Sequence, residues 1–255
     1  MLDIIFPFNK RQFVLQLVNF AFLVMERTTQ KLRAQVYEWG GNYDKMSESL
    51  KSLIYLSEFE NYEFDDEERC LISNCIKKKV SESRSRIHQI ILEQKEQGEY
   101  GNHEYVEICD DYILTLRKEI QIFLNSISDS VDHLVAITNK GKLFKGKVRS
   151  DLSRYFLEFG FSNVSSSRMI QEEVYKLANN YPDPFDPLVL GFILNFSIFL
   201  MERCNEKGRA LEILMSIRDK LESQHNEVYM DQINEASKNA IKNIDEYIQE
   251  WSKLI

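Results

Sequence analysis

Glycine and proline are scarce in this chain, with 9 and 4 among 255 residues. Strand-rich folds need both to punctuate their turns, and no apolar run here is bounded by turn residues. A sheet protein is thereby excluded and an all-α chain expected. Cysteine is equally sparse. Cys70, Cys75, Cys109 and Cys204 match no zinc-ligand spacing, and no Cys-x-x-Cys occurs. They read as small buried hydrophobes of a reducing compartment. The four histidines (His88, His103, His133, His225) are scattered, which leaves a histidine-based metal site without support. There is no nucleophile paired with a base and no glycine-rich phosphate loop, so neither an enzyme nor a cofactor is expected. Excess positive charge is missing too. With 32 Lys and Arg against 40 Asp and Glu, the net charge is −8, against the broad basic surface of a nucleic-acid binder.

No apolar run is long enough to cross a bilayer. The densest, Phe13 to Met25, is short and interrupted by Gln16 and Asn19, so membrane contact is not expected. Its basic flank, Lys10-Arg11, gives it the outline of a signal peptide. The following Glu26-Arg-Thr-Thr-Gln nevertheless lacks a small-x-small cleavage site. Residues 1–26 read as an extra N-terminal helix, packed on its own chain or on a second copy, with an interfacial anchor as the lesser alternative. Residues 27–255 read as one domain of helix pairs joined by short turns. Gly40-Gly41 and Gly101-Asn102 mark breaks, Tyr181-Pro-Asp-Pro-Phe-Asp-Pro187 marks the clearest loop, and Asp186 and Pro187 suit the cap and first position of a helix. The helix starting near Tyr105 is expected to end about Ile127, and residues 128–140 to form a weakly structured connection.

Charge is concentrated in one stretch, CLISNCIKKKVSESRSR, from Cys70 to Arg86. Asp65 precedes it at a cap position, with more acids in the first turn, as the positive end of a helix favours. Lys77 and Arg84 lie seven apart, about two turns, and so share a face. An ammonium beside a planar guanidinium suits a dianionic phosphate better than a single carboxylate. A solvated basic face is the ordinary outcome for such a run. Further on, Leu152, Tyr155, Phe156 and Phe159 form a buried stripe with Arg154 and Glu158 at its margin. Taken alone, Arg154 and Glu158 read as a structural ion pair. The helix after Pro187 carries two apolar stripes. One is Val189, Phe192, Ile193, Phe196 and Phe199; the other is Gly191, Leu194, Asn195 and Ile198, extended by Glu202. Asn195 can both donate to and accept from an extended peptide backbone, or bond a neighbouring helix.

Four stretches, in this order and spacing, resemble the 14-3-3 proteins: NYDKMSESLKSL, DDEERCLISNCIKKKVSESRSR, KVRSDLSRYFLEFG and DPLVLGFILNFSIFLMERCNEKGRALEI. The resemblance covers roughly residues 27 to 251. It implies a nine-helix antiparallel array of the 14-3-3 kind. It also implies a homodimer or heterodimer formed through the first four helices, and a cytoplasmic adaptor without cofactor whose groove takes phosphoserine or phosphothreonine peptides of client proteins. It places the phosphate at Lys77, Arg84, Arg154 and Tyr155, the peptide backbone at Asn195, an apolar wall at Gly191, Leu194 and Ile198, and supporting acids at Glu158 and Glu202. Departures are His88 for an arginine, Lys45 for an acid at the dimer contact, Asn239 and Ala240 for apolar wall residues, and Tyr247 for a second asparagine. A helical-repeat scaffold reading unmodified segments, attached to a membrane through residues 1–25, is the alternative.

Overall fold

The computed structural model describes residues 10–224 and 233–253, with side chains from Leu23 onward. Among these residues are nine α-helices and no strand: α1 (Lys10–Trp39), α2 (Tyr43–Glu60), α3 (Asp66–Glu99), α4 (His103–Val131), α5 (Asn139–Glu158), α6 (Val164–Asn179), α7 (Pro187–Glu202), α8 (Lys207–Ser223) and α9 (Glu235–Trp251). The N-terminal part of the expected extension and residues 225–232, His225 included, lie outside the described residues. Within the described part, α1 runs unbroken through positions 26 and 27.

Local sequence sets most of the boundaries. Asp65 caps α3 by accepting from the Glu68 amide, and the Glu68 carboxylate reaches back to the Asp65 amide, a reciprocal capping box. Asn42, Thr138, Asn163 and Asn234 cap α2, α5, α6 and α9 in the same one-sided way. Asp186 caps α7 with Pro187 in its first turn. Gly41, at φ 65°, supplies the left-handed turn between α1 and α2.

Three sequence readings need correction here. α4 does not stop at Ile127 but continues to Val131, because Leu124, Ile127 and Val131 keep helical spacing and all three are buried. The connection to α5 is accordingly short, residues 132–138. It is also firmly held: Glu63 accepts from the Ile137 amide (2.6 Å), the Thr138 amide (2.7 Å) and the Thr138 hydroxyl (2.5 Å). The cysteines are all free, and Cys75 and Cys109 are buried, but Cys70 is exposed rather than a core residue.

Successive helices pack as pairs, α1 on α2, α3 on α4, α5 on α6 and α7 on α8, with α9 against α7 and α8. Two hydrophobic cores result. The first gathers α1 to α5 around Met46, Leu50, Leu53, Ile72, Ile120 and Leu124. The second gathers α5 to α9 around Val189, Phe192, Phe196, Leu200, Leu214 and Ile244. Helix α5 belongs to both, giving Phe144, Val148 and Leu152 to the first and Leu143 to the second. Contacts of α5 with α3 and α7, and of α7 with α9, place α3, α5, α7 and α9 side by side.

Candidate functional site

Where α3, α5 and α7 meet lies a cavity of about 440 Å³ lined by Lys77, Arg84, Lys147, Asp151, Arg154, Tyr155, Glu158 and Asn195, with Ser73, Asn74, Ile76 and Val148. Six residues singled out from the sequence, on three helices, are therefore brought together. Lys77 and Arg84 come from α3 two turns apart, as their spacing requires. Arg154, Tyr155 and Glu158 come from the last turns of α5, and Asn195 from the middle of α7.

The ion pairing differs from expectation. Arg154 and Glu158 do not pair with each other. Arg154 donates to Asp151 at 2.7 Å, while Glu158 accepts both Nε (2.6 Å) and a terminal nitrogen (2.8 Å) of Arg84. The reason is geometric: Glu158 faces α3, where a two-point fork is within reach, and Asp151 sits one turn before Arg154 on its own helix. Lys147 completes the arrangement with a 2.6 Å pair to Asp151. Burial alone would raise the Asp151 pKa, but the two flanking cations outweigh it and hold the carboxyl below its ordinary value. The Arg84 guanidinium is pushed up by its bond to Glu158. Burial, aided by the Asp151 charge, raises the Tyr155 phenol, which therefore stays protonated and able to donate.

Several donors in the cavity are left over. Lys77 is exposed and has no ion pair among the described residues. Arg154 Nε is buried without a hydrogen-bond partner there. The Asn195 carboxamide, half-buried, bonds no neighbouring helix among the described residues, so that reading of it is not realised.

Gly191, Leu194 and Ile198 do not line the cavity itself. They continue along the half-exposed face of α7, with Leu194 and Ile198 packed against the second core. A Cβ on Gly191 would meet nothing within 4 Å, so this face opens to solvent there. Glu202 is exposed at the end of the same helix. The departing positions on α9 are also visible: Asn239 is exposed, and the Tyr247 ring lies 5.0 Å from that of Trp251. A further cavity of about 660 Å³, lined by Cys70, Phe144, Pro187, Leu188 and Asn234 among others, shares Ser73 and Lys147 with the first, so the opening continues toward the start of α9.

Sequence reasoning missed Lys147 and Asp151. Their signal was present, since Lys147, Asp151 and Arg154 stand at i, i+4 and i+7 and must share one face. Among the described residues no helix is long and apolar enough to cross a membrane, and no cluster of metal-ligating side chains occurs.

Comparison with known proteins bears on this geometry. The family model described as 14-3-3 protein matches residues 33–252. The chain is 26% identical over 221 residues to 14-3-3 protein beta/alpha-A of Xenopus laevis, covering 84% of this chain and 86% of that protein. It is 29% identical over 189 residues to 14-3-3 protein 3 of Entamoeba histolytica, covering 71% and 77%. With 14-3-3 protein epsilon of Drosophila melanogaster it shares 28% over 203 residues, 76% of each.

Proposed function

This chain belongs to the 14-3-3 family of non-enzymatic adaptors, and from that premise we propose that the cavity between α3, α5 and α7 binds phosphoserine or phosphothreonine within client segments. One observation carries the reading: four cations, Lys77, Arg84, Lys147 and Arg154, converge on one small cavity against only two carboxylates, Asp151 and Glu158. The surplus is two positive charges. A phosphorylated side chain brings roughly −1.5 to −2, with three acceptor oxygens. Lys77, Arg84, Arg154 and the Tyr155 hydroxyl are its donors. Asp151 is the positioning residue that holds Lys147 and Arg154 in place between visits. Asn195 takes the extended main chain beside the phosphosite, and the peptide runs on past Gly191, Leu194 and Ile198, with Glu158 and Glu202 setting the limits of the basic field. An unphosphorylated serine gains nothing here, because the cations would lose water without acquiring a counter-charge.

The same premise extends to assembly. Leu32, Val36 and Trp39 of α1 recur at i, i+4 and i+7 and are all exposed, Trp39 to 81%. Ile91 and Leu92 on α3 and Tyr105, Ile108 and Tyr112 on α4 are exposed as well. Apolar surface of this extent on the first four helices fits a second copy or a related chain. The adaptor would work in the cytoplasm, where the free cysteines stay reduced.

The deciding measurement is fluorescence polarisation with one peptide in phosphorylated and unphosphorylated form. Wild-type chain is expected to bind only the first, and Lys77→Glu, at an exposed site, to abolish that binding with an unchanged circular dichroism spectrum. Equal affinity for the two peptides would sink the proposal, and would favour a scaffold for unmodified segments.

A further inference from the structure

Helix α5 has a second cavity on its other side. It measures about 560 Å³ and lies between α5 and α6, under the end of α4. That volume falls within the roughly 300–1,000 Å³ of small-molecule sites. Its positions on α5, among them Lys145, Arg149, Leu152 and Phe156, are two residues out of step with Lys147, Asp151, Arg154 and Glu158. Two residues are about 200° of helix, so the two cavities open to opposite sides.

The chemistry of this cleft is divided. Its floor is apolar, made by Leu152, Phe156, Val174 and Leu177. Gly146 lies tight against that floor, since a Cβ there would stand 3.1 Å from Val174 Cγ2 and 3.6 Å from Leu177 Cδ1, so a larger side chain would press into it. Toward α4 the rim is cationic, with Lys142, Lys145 and Arg149. Lys145 donates to the carbonyl oxygens of Asp132 (2.7 Å) and Leu134 (2.9 Å), and Arg149 pairs with Asp132. Lys142 is exposed and has no ion pair among the described residues. Glu173 is the other acid of the rim, so three cations face two carboxylates. Burial first, and then the neighbouring Arg149 charge, lowers the Lys145 pKa, as expected where cations crowd one another.

We infer that this cleft binds a soluble amphiphilic anion, with an aliphatic or aromatic body on the Leu152–Val174 floor and a carboxylate or phosphate head between Lys142 and Arg149. An apolar floor by itself would accept any hydrophobe. The uncompensated cation at one end selects the sign of the head group, and the recess between two helices favours a free molecule over a flat membrane surface. The site is independent of the phosphopeptide reading, since it shares no lining residue with that cavity.

Isothermal titration calorimetry of the full chain with octanoate, octyl phosphate and octylammonium tests this. Saturable binding of both anions and none of the cation is expected. Gly146→Leu, which fills the floor, should weaken octanoate binding about tenfold or more, a loss of one pocket-sized contact. Lys142→Glu, at an exposed position, should weaken it by about fivefold and flatten its salt dependence. Both variants should bind phosphopeptide as the wild type does. Octylammonium binding as well as octanoate overturns the inference, and so does undiminished octanoate binding by Lys142→Glu, which decides the matter even if Gly146→Leu does not fold. Flotation with phosphatidylcholine vesicles carrying oleate, without any binding of soluble octanoate, also overturns it in favour of a membrane surface.

Discussion

At the scale of single residues, the candidate phosphate cavity is a balance of charges held in reserve. Asp151 is the pivot, because it pairs with both Lys147 and Arg154 and offsets only one of their two charges. Its depressed pKa has a direct consequence for stability. A carboxylate whose folded value lies below its ordinary 3.8 stabilises the fold above that pH, and the contribution is lost as pH falls through the folded value. Urea unfolding from about pH 5 down to about pH 2 should therefore show falling stability, with a shallower decline in Asp151→Asn; equal slopes would remove Asp151 from the account. Glu158 offers a second test. It grips Arg84 through two bonds, so it competes with any incoming anion. Glu158→Gln is expected to tighten phosphopeptide binding, by about threefold for a half-exposed pair of this kind, read by fluorescence polarisation. Weaker binding would show that Glu158 positions Arg84 rather than restrains it. Lys77 and Arg84 were legible in the sequence by type and spacing and Asn195 by its place in an apolar stripe, whereas Arg154 and Tyr155 joined them only through the family resemblance. The partner of Glu158 was not, since pairing across helices depends on which faces α3 and α5 turn toward each other, whereas the Asp151 partner of Arg154, one turn away on the same helix, was legible and was overlooked.

Among the elements, the start of α5 shows how much a single side chain organises. Glu63, from the turn before α3, accepts from two amides and a hydroxyl at residues 137 and 138 and pairs with Arg69 at 2.7 Å. These bonds lower its pKa against the opposing effect of burial. They need close approach: a Cβ on Gly141 would overlap the Glu63 carboxylate. Glu63→Ala leaves these donors unpaired and should cost about 2–3 kcal/mol in a chemical-denaturation experiment, as lost bonds to a charged acceptor do. Gly141→Ala should lose a comparable amount by displacing the same carboxylate; a stabilised Gly141→Ala would contradict the close packing. The caps at Asp65 and Asp186 could be read from sequence because they obey local rules. The order of residues 132–138 could not, since it comes from a carboxylate more than seventy positions earlier. The end of α4 was misread for a different reason. Ser126, Ser128 and Ser130 masked the spacing of Ile127 and Val131, yet Ser130 fits a helix by donating to the Ser126 carbonyl.

For the whole molecule, the long α1 is tied down from one point onward. Arg27 reaches Glu68, which is 1% exposed, at 2.7 Å, and its guanidinium stacks on the Tyr62 ring at 3.2 Å. It is the first described side chain of α1 to bond another helix. A chain beginning at Glu26 keeps this anchor and should melt within about 3 °C of the full chain. Arg27→Ala should cost about 3–5 kcal/mol by stranding a buried carboxylate. Differential scanning calorimetry separates these outcomes, and a large loss in the truncated chain would show that earlier residues carry part of the core. The helical class and the pairing of neighbours followed from periodicity and breaks. The existence of two cores did not, because no composition shift marks where one gives way to the other.

That shared helix has a consequence for synthesis. Phe144, Val148, Leu152 and Phe159, from α5 and its C-terminal cap, complete a core otherwise built from the first four helices and their connections, while Leu143 beside them belongs to the later one. A nascent chain leaving the ribosome therefore lacks part of its first core until residue 159 has emerged, by which point the helix that also anchors the second core has been made.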